Sequence, residues 1–210
     1  EKYNILLILD EVMPGFGRTG KWFGFSHWEM EPDILTLAKG LTSGTMPLGA
    51  TVVSNKIADY YQNNYLPTGL TNYAHPIGCA AALAAIEVYE NERLIDNSRK
   101  MGQLLNKELK KLSNRHKSIG SFRGKGLFYA IEFVDYYNPT KRLVEWHNSN
   151  YYTAHPLMKK LIKLLKSKGL YTYSRFNVLF IAPPLCITKN ELLSALDMIS
   201  ESIKESIENG

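Results

Sequence analysis

The fold is decided by residues 5–17, which read Ile5-Leu6-Leu7-Ile8-Leu9-Asp10-Glu11-Val12-Met13-Pro14-Gly15-Phe16-Gly17. Five consecutive apolar residues, followed by two acids and a turn rich in proline and glycine, are typical of a fully buried strand in an α/β sheet. Asp10 stands at the carboxyl end of this strand, which is where open α/β sheets bind their ligands. The stretch therefore predicts a buried strand that carries Asp10 to a ligand site.

A second apolar run repeats this arrangement further along the chain. Pro32-Asp33 precede the run Ile34-Leu35-Thr36-Leu37-Ala38, which leads directly to Lys39 and Gly40. Ligands in such sheets collect at the carboxyl ends of neighbouring strands. The side chains of Asp10 and Lys39 are therefore expected to converge on one ligand.

An amine and a carboxylate at one site have complementary chemical roles. A lysine amine that is shielded from water is more readily neutral, and a neutral amine forms a Schiff base with an aldehyde. A carboxylate beside a pyridine nitrogen keeps that nitrogen protonated, which lets the ring accept electrons from a reacting bond. Asp10 and Lys39 together are thus a candidate site for pyridoxal phosphate.

Two other interpretations fit the same residues. A hydrophobic strand that ends in Asp-Glu is also typical of the magnesium-binding strand of a P-loop ATPase. A lysine before a glycine is most often a surface residue at the end of a helix. The ATPase interpretation is weakened because the sequence has no G-x-x-x-x-G-K-[ST] loop to bind phosphates, so that loop would have to lie in a missing segment.

The sequence around both residues resembles one known family. The similar segments are residues 10–20, residues 32–40, Pro47-Leu48-Gly49-Ala50 and Ala182-Pro183-Pro184-Leu185. In order and spacing they closely resemble the class III aminotransferases, the ω-aminotransferase group of pyridoxal phosphate enzymes. The resemblance covers most of the chain. It implies an α/β chain that forms the C-terminal part of a fold-type I enzyme, like aspartate aminotransferase.

The resemblance assigns roles to individual side chains. It implies that Lys39 holds the cofactor and then moves the proton, that Asp10 pairs with the pyridine nitrogen, and that Val12 packs on one face of the ring. Thr71 resembles the threonine that hydrogen-bonds the cofactor phosphate, usually in the site of the neighbouring subunit. A homodimer is therefore implied.

Two positions depart from the family pattern. Many relatives have glutamine in place of Met13, so one polar contact near the ring hydroxyl is missing, as in the ω-amine branch. Many relatives have arginine in place of Phe180, and a phenyl ring cannot bind a carboxylate bidentately as arginine does. Arg175 is then the candidate to bind the carboxylate of the keto acid, and an ordinary surface arginine is the alternative.

The resemblance also implies three parts for the chain. Residues 1–90 would be the remainder of the large cofactor-binding domain, residues 91–113 an interdomain helix, and residues 114–210 a small α+β domain. The family is about twice as long as these 210 residues. We expect a separate N-terminal half, because in relatives that half supplies a glycine-serine loop at the phosphate and an aromatic ring on the pyridine. The chain alone is expected to be inactive.

Local patterns predict the remaining elements. Helices are expected from Pro76 to Tyr89, over 92–113, from Pro156 to Lys168 and after the capping box Thr188-Lys189-Asn190-Glu191; strands are expected over 49–53, 127–133 and 177–181. Glycines 124 and 126 predict a turn or bulge, and residues 135–155 predict a long surface loop. His75 immediately precedes a helix, which favours a capping or packing role over acid–base catalysis.

Composition argues against several other classes of protein. The formal net charge is +5, but the lysines are spread along amphipathic helices rather than gathered with aromatic residues, so no nucleic-acid partner is predicted. No apolar run approaches the roughly twenty residues of a membrane span, and no metal-ligand spacing is present. Cys79 and Cys186 lie far apart in apolar stretches, which predicts reduced thiols and a cytoplasmic protein.

The predicted activity is transamination with pyridoxal 5'-phosphate. The resemblance implies an amino donor that is an ω-amino acid or primary amine of the taurine, β-alanine or 4-aminobutyrate type, and an acceptor keto acid such as pyruvate or 2-oxoglutarate. Two alternatives stay open. One is an aminomutase or racemase of the same family, and the other is a noncatalytic subunit that retains the fold.

Overall fold

The computed structural model describes residues 2–144 and 155–209 of the chain. The chain forms two compact units, Glu1–Asp96 and Asn97–Gly210. Each unit has its own sheet. The assignment of residues 1–90, 91–113 and 114–210 to a large domain, an interdomain helix and a small domain stays a prediction.

A three-stranded sheet organises the first unit. Strand β1 (Ile8–Asp10) runs parallel to β2 (Ile34–Leu37), and β3 (Ala50–Val53) is antiparallel to β2. Asp10 lies opposite Thr36 in the first pair. The carboxyl ends of β1 and β2 therefore lie at the same edge of the sheet, and the segments that follow them leave the sheet together.

The prediction that residues 5–9 form a fully buried strand is wrong for this chain. The Ile5 side chain is 74% exposed and the Ile8 side chain is 58% exposed. A parallel strand is buried only where other elements cover both of its faces, and these exposures show that the described residues do not cover β1 in this way. The strand predicted over 49–53 is present as β3, but it too is exposed, with Val52 at 47%.

Two helices follow β3 in the first unit. Helix α1 spans Asn55–Gln62 and α2 spans Pro76–Asn91. Proline occupies the first turn of α2, where its missing N–H costs no hydrogen bond. The His75 ring caps this helix by accepting a hydrogen bond from the backbone N–H of Ile77 at 3.3 Å. The predicted capping role of His75 is therefore confirmed.

Helix α3 (Leu94–Arg115) confirms the helix that the sequence predicted over 92–113. It buries Leu105, Leu109 and Leu112 along one face. Gly102 lies on the same helix, and a Cβ there would sit 2.4 Å from the carbonyl oxygen of Gly126. Only glycine allows the helix to approach this backbone so closely.

The second unit has a four-stranded antiparallel sheet in the order β4-β5-β7-β6. Its strands are β4 (Ile119–Lys125), β5 (Phe128–Phe133), β6 (Ser174–Arg175) and β7 (Val178–Ile181). The sequence predicted β5 and β7 but only a turn or bulge in place of β4. Gly126, with φ at 56°, is in the turn that joins β4 to β5.

Two helices pack beside this sheet, and both follow the sequence predictions closely. Helix α4 spans Pro156–Ser167 and α5 spans Lys189–Ile203, with a π-helical turn over Lys204–Glu208 after it. The capping box at the start of α5 is present. The largest fully buried apolar side chains of this unit come from its strands, its helices and the turn before β5: Leu105, Leu109, Leu127, Ile131, Phe133, Met158, Leu161, Leu165, Leu179, Leu192 and Ile203.

The predicted surface loop over 135–155 is only partly described, because residues 145–154 lie outside the described ranges. In the described part, the Asp135 carboxylate accepts hydrogen bonds from the backbone N–H groups of Tyr137 and Asn138 at 2.9 and 3.1 Å. Tyr137 is 85% exposed. This part of the segment is therefore an ordered turn on the surface.

Candidate active site

Asp10, the last residue of β1, is at the centre of the candidate site. Its Oδ1 atom accepts a hydrogen bond from the backbone N–H of Val12 at 2.9 Å. Such a bond forms an Asx-turn, which fixes the carboxylate relative to the residues that follow it. The Asp10 side chain is exposed, so a ligand can reach it.

Lys39 follows β2 and begins a short 3₁₀ turn, Lys39–Leu41. Its backbone is left-handed, with φ at 46°. This conformation is uncommon for a residue with a side chain and costs of order 1–3 kcal/mol. Its Nζ atom donates to the Sδ atom of Met13 across 2.6 Å. Since Met13 follows β1, the structure brings the Lys39 amine to the segment that leaves Asp10.

Glu11 holds the loop between β1 and β2 in place. Its side chain is buried, and its carboxylate oxygens accept hydrogen bonds from the backbone N–H groups of Gly24 and Phe25, each at 2.7 Å. Hydrogen bonds to a carboxylate are roughly twice as strong as those between neutral groups. A Cβ at Gly15 would lie 2.6 Å from the Glu11 carbonyl oxygen, so this turn requires glycine.

Tyr89 contacts the Lys39 turn from α2. Its hydroxyl donates to the carbonyl oxygen of Gly40 at 2.7 Å, and its ring stacks on Phe16 with centroids 6.1 Å apart. Phe16 in turn touches Gly40, where a Cβ would lie 2.7 Å from the Phe16 Cβ. The residue next to Lys39 is thus held by two buried aromatic side chains.

Burial keeps the Tyr89 hydroxyl protonated, against the effect of a nearby positive charge. Burial raises its pKa, while a hydrogen bond with Ser43 and the positive charge of Arg18 oppose that rise. Burial also lowers the pKa of Arg18, and the Coulomb interaction with Tyr89 raises it. Because the net direction for Tyr89 is upward, its hydroxyl stays a hydrogen-bond donor at neutral pH.

Sequence reasoning missed both Glu11 and Tyr89. Tyr89 is in the predicted helix, and a buried tyrosine hydroxyl needs a partner, so that hydroxyl was a signal that could have been used. Glu11 gave no comparable signal. Its partners are 13 and 14 residues away, and they are backbone groups that any residue carries.

Thr71 is the predicted residue that the structure does not connect to this group. It begins a turn between α1 and α2 and is exposed. Its neighbour Leu70 is 70% exposed, and Tyr73 is 54% exposed. Within the part of the chain that the structure describes, Thr71 makes no hydrogen bond to Asp10 or Lys39.

Arg175 and Phe180 lie in the second unit. Arg175 is exposed in β6, and its guanidinium sits over the ring of Phe176 at 5.0 Å from the centroid. Phe180 in β7 is half-buried and stacks on Tyr173 with centroids 5.6 Å apart. Phe180 and Tyr173 both line an apolar cavity of about 280 Å³.

The side chains at the edge of the first sheet suit pyridoxal phosphate. The cofactor needs an amine for its aldehyde and a carboxylate for its pyridine nitrogen. The observed edge presents Lys39 and Asp10 on the segments that leave two neighbouring parallel strands. Val12, which carries an apolar side chain, is held beside the carboxylate by the hydrogen bond that its backbone N–H donates. The residues present therefore fit the group.

The chain also matches a family model over almost its whole length. Residues 1–203 match the model described as Aminotransferase class-III. The chain belongs to the class III aminotransferases. This match confirms the family that the sequence predicted.

Several named aminotransferases are similar to this chain in sequence. A taurine–pyruvate aminotransferase from Bilophila wadsworthia is 47% identical over 142 residues, covering 64% of this chain and 31% of that protein. An adenosylmethionine-8-amino-7-oxononanoate aminotransferase from Methanocaldococcus jannaschii is 36% identical over 212 residues, covering 97% of this chain and 44% of that protein. The chain thus spans less than half the length of these relatives.

Solved structures of the family share the fold. A taurine:2-oxoglutarate aminotransferase from Bifidobacterium kashiwanohense, in complex with PLP and glutamate, superposes with a TM-score of 0.92 at 36% identity, covering 99% of this chain and 46% of that one. An S-selective transaminase from Arthrobacter sp. with alanine bound gives a TM-score of 0.91 at 31% identity, covering 100% and 45%. The predicted fold class is confirmed.

Two further properties concern the described residues only. None of their helices is both long enough and apolar enough to cross a membrane. They contain no group of three or more His, Cys, Asp or Glu side chains that could hold a metal ion. Both cysteines, Cys79 and Cys186, are free thiols.

Proposed function

We propose that the protein to which this chain belongs transfers an amino group from an ω-amino acid or primary amine to a keto acid, with pyridoxal phosphate as cofactor. The observation that carries the proposal is the Lys39 amine, which reaches Met13 at the sheet edge that also presents Asp10. Donors of the taurine, β-alanine or 4-aminobutyrate type, with pyruvate or 2-oxoglutarate as acceptor, agree with the names of the relatives that act on taurine.

Each proposed role follows from the chemistry of the side chain. Pyridoxal phosphate, when bound, accepts the electrons released at the substrate carbon. Lys39 would hold the cofactor through its amine, and after release would carry the proton to and from that carbon. Asp10 would keep the pyridine nitrogen protonated, with its carboxylate oriented by the Val12 N–H. The Val12 side chain would pack on the ring.

We further propose that Arg175 binds the carboxylate of the keto acid. Phe180 stands where many relatives have arginine, so another cation has to take that role. Arg175 is exposed beside the two-residue turn between β6 and β7, and an arginine can bind a carboxylate with two parallel hydrogen bonds.

Two protein partners complete the proposal. The first is the N-terminal half of the same enzyme, which would cover the exposed apolar side chains of β1 and β3. The second is another copy of the enzyme, whose site would receive Thr71 from the exposed turn before α2. The coverage of 31–46% of the relatives supports the first partner. The two free thiols support a cytoplasmic location.

The test uses the full-length enzyme, including its N-terminal half. Wild-type protein is treated with pyridoxal phosphate and then with borohydride, and peptides are analysed by mass spectrometry. The cofactor mass is expected on Lys39, and Lys39→Ala should lose both the label and the activity. Lys56→Ala, which removes an exposed lysine from α1, is the matched control and should keep both. Labelling elsewhere with full activity in Lys39→Ala would overturn the proposal.

The amount of keto acid consumed distinguishes a transaminase from an aminomutase, a racemase or a noncatalytic subunit. A transaminase consumes one keto acid for each amine that it converts, and visible absorption should change as each candidate amine is added. An aminomutase or racemase would turn over without a keto acid. A noncatalytic subunit would show neither turnover nor label on Lys39.

A further inference from the structure

Tyr89 links the two segments that form the candidate site. Its hydroxyl donates to the carbonyl of Gly40, the residue after Lys39. Its ring contacts Phe16 and Trp22, with both centroids 6.1 Å away. Phe16 and Trp22 belong to the loop that follows β1, whereas Gly40 belongs to the turn that follows β2. One buried side chain therefore contacts both segments that leave the sheet edge.

The Lys39 turn needs an external restraint. Lys39 and Ser43 both have left-handed backbones, with φ at 46° and 52°. Such conformations persist only where the surrounding structure enforces them. The bonds within the turn, from the N–H of Thr42 to Lys39 at 3.3 Å and from that of Ser43 to Gly40 at 3.2 Å, are long. The bond from Tyr89 is much shorter, at 2.7 Å.

The restraint comes from a rigid part of the unit. Tyr89 is 6% exposed and lies on the last turns of α2, a helix of 16 residues. Phe16 is 4% exposed and blocks the other side of Gly40, because a Cβ there would lie 2.7 Å from its own Cβ. The Gly40 peptide is thus confined between the hydroxyl and the Phe16 ring.

We propose that Tyr89 is a positioning residue for Lys39: by holding the Gly40 carbonyl, it keeps the Lys39 backbone left-handed and aims the amine at the segment that follows Asp10. This inference rests on the proposed function, because it gives Tyr89 a role in the reaction of Lys39. Tyr89 touches neither cofactor nor substrate in this scheme. Its effect passes through the backbone of the turn.

The test compares Tyr89→Phe with Tyr129→Phe in the full-length enzyme. Tyr129 is a matched control because it is also 6% exposed and burial also raises its pKa, but it lies in β5 of the second unit. Each variant loses only one buried hydroxyl. Hydrogen exchange of a peptide covering residues 38–43 is measured in the apoenzyme, so this readout needs neither cofactor nor activity.

In Tyr89→Phe we expect faster exchange over 38–43, a shifted pH midpoint of the visible band of the bound cofactor, and a lower kcat with little change in KM. The loss in kcat should be roughly tenfold to a hundredfold, as for a reacting group displaced by up to 1 Å. Tyr129→Phe should match wild type in all three measurements, even if both variants unfold at lower temperature.

Three possible results distinguish a positioning role for Tyr89 from a purely structural role and from failure of the proposed function. If Tyr89→Phe loses thermal stability but keeps wild-type exchange, absorption and kcat, Tyr89 is only a core residue and the inference is overturned. If Tyr89→Phe does not fold, Gly40→Ala tests the same turn with the hydroxyl intact, and wild-type absorption and kcat in that variant would also overturn it. If wild type binds no pyridoxal phosphate, the proposed function fails, whereas exchange over 38–43 still reports on Tyr89.

Discussion

The two units of the chain bury their apolar side chains to very different extents. In the second unit, helices and strands contribute side chains such as Leu105, Phe133 and Leu165, which are fully inaccessible to solvent. In the first unit, apolar side chains of the sheet stay exposed, including Ile8 and Val52. The buried apolar side chains of the first unit are few: Phe16, Leu37, Leu41, Ala82 and Tyr89.

The difference shows which part of the candidate site is already formed. Three of these buried residues, Phe16, Leu37 and Leu41, lie at the ends of β1 and β2 or in the segments that follow them, and Tyr89 bonds to the Lys39 turn. Strands β1 and β3 of the sheet are largely exposed. Exposed apolar surface of this kind marks a site for association. We infer that local contacts hold the Lys39 turn of the first unit. We also infer that the sheet of this unit needs a covering partner for stability.

The largest effect on cooperative folding is expected when the two units are produced as separate fragments. A fragment of residues 97–210 should unfold in one cooperative thermal transition, because its core is complete. A fragment of residues 1–96 should show no cooperative transition and should bind a hydrophobic dye, because apolar burial at about 25 cal/mol per Å² is the main favourable term in folding. Circular dichroism melts and dye fluorescence measure both. A sharp melt for residues 1–96 would contradict the conclusion that the first unit buries too little apolar surface to fold cooperatively by itself.

The next effect concerns the loop of the first unit. Glu11→Ala removes a buried carboxylate and leaves the N–H groups of Gly24 and Phe25 without their acceptors. Full-length enzyme should lose about 3–6 kcal/mol of unfolding free energy, since each of the two bonds to this charged group contributes about 1.5–3 kcal/mol. Urea unfolding measures this loss. Glu29→Ala removes an exposed carboxylate from the same unit and should change stability by less than about 0.5 kcal/mol.

The second unit has its own buried polar cluster, centred on His116. The ring is 3% exposed, its Nδ1 is 3.0 Å from a Glu208 carboxylate oxygen, and its Nε2 is 2.7 Å from the Ser200 hydroxyl. Glu208→Ala leaves the ring and the Ser118 hydroxyl without this acceptor. We expect a loss of about 1–3 kcal/mol in unfolding free energy.

A surface ion pair provides the control for this variant. Lys168 contacts Glu205 at 3.0 Å, and both side chains are partly exposed to solvent. Exposed pairs contribute about 0–1 kcal/mol. Glu205→Ala should therefore lower stability less than Glu208→Ala does. Equal losses in urea unfolding would show that the His116 cluster is no more important than a surface contact.

The sequence predicted what depends on short-range patterns. The common edge of Asp10 and Lys39 follows from two apolar runs, and the start of α5 follows from four adjacent residues. Strand β4 was missed because its glycines and basic residues do not alternate with apolar ones, so that pairing with β5 decides its conformation. The burial of β1 was overestimated because it depends on which elements cover the sheet.

The candidate site was predicted only in part for a related reason. The roles of individual side chains at Asp10 and Lys39 came from family resemblance, and they stay predictions until the lysine is labelled. Tyr89 was missed because its partner is a backbone carbonyl 49 residues earlier. Contacts between a side chain and a distant backbone group leave no periodic pattern in the sequence. They appear only when the fold brings the two segments together.

The smallest expected effect is at the capping box of α5. The backbone N–H and the hydroxyl of Thr188 donate to the Glu191 carboxylate at 2.8 and 2.7 Å, and these bonds lower the pKa of Glu191 below its ordinary value of 4.5. A lowered folded-state pKa means that the charged carboxylate stabilises the fold above that ordinary pKa. The contribution is lost as pH falls through the lowered value.

The variant Glu191→Gln tests the direction of this pH dependence. Wild type should melt slightly above the variant at pH 7, and the difference should disappear as the pH falls well below 4.5. Asp197→Asn, in the middle of the same helix, is the control because it also removes one carboxylate. Its difference from wild type should not follow that pH course. A Glu191 difference that persists at low pH would show that the bonds to Thr188 do not require the charged carboxylate.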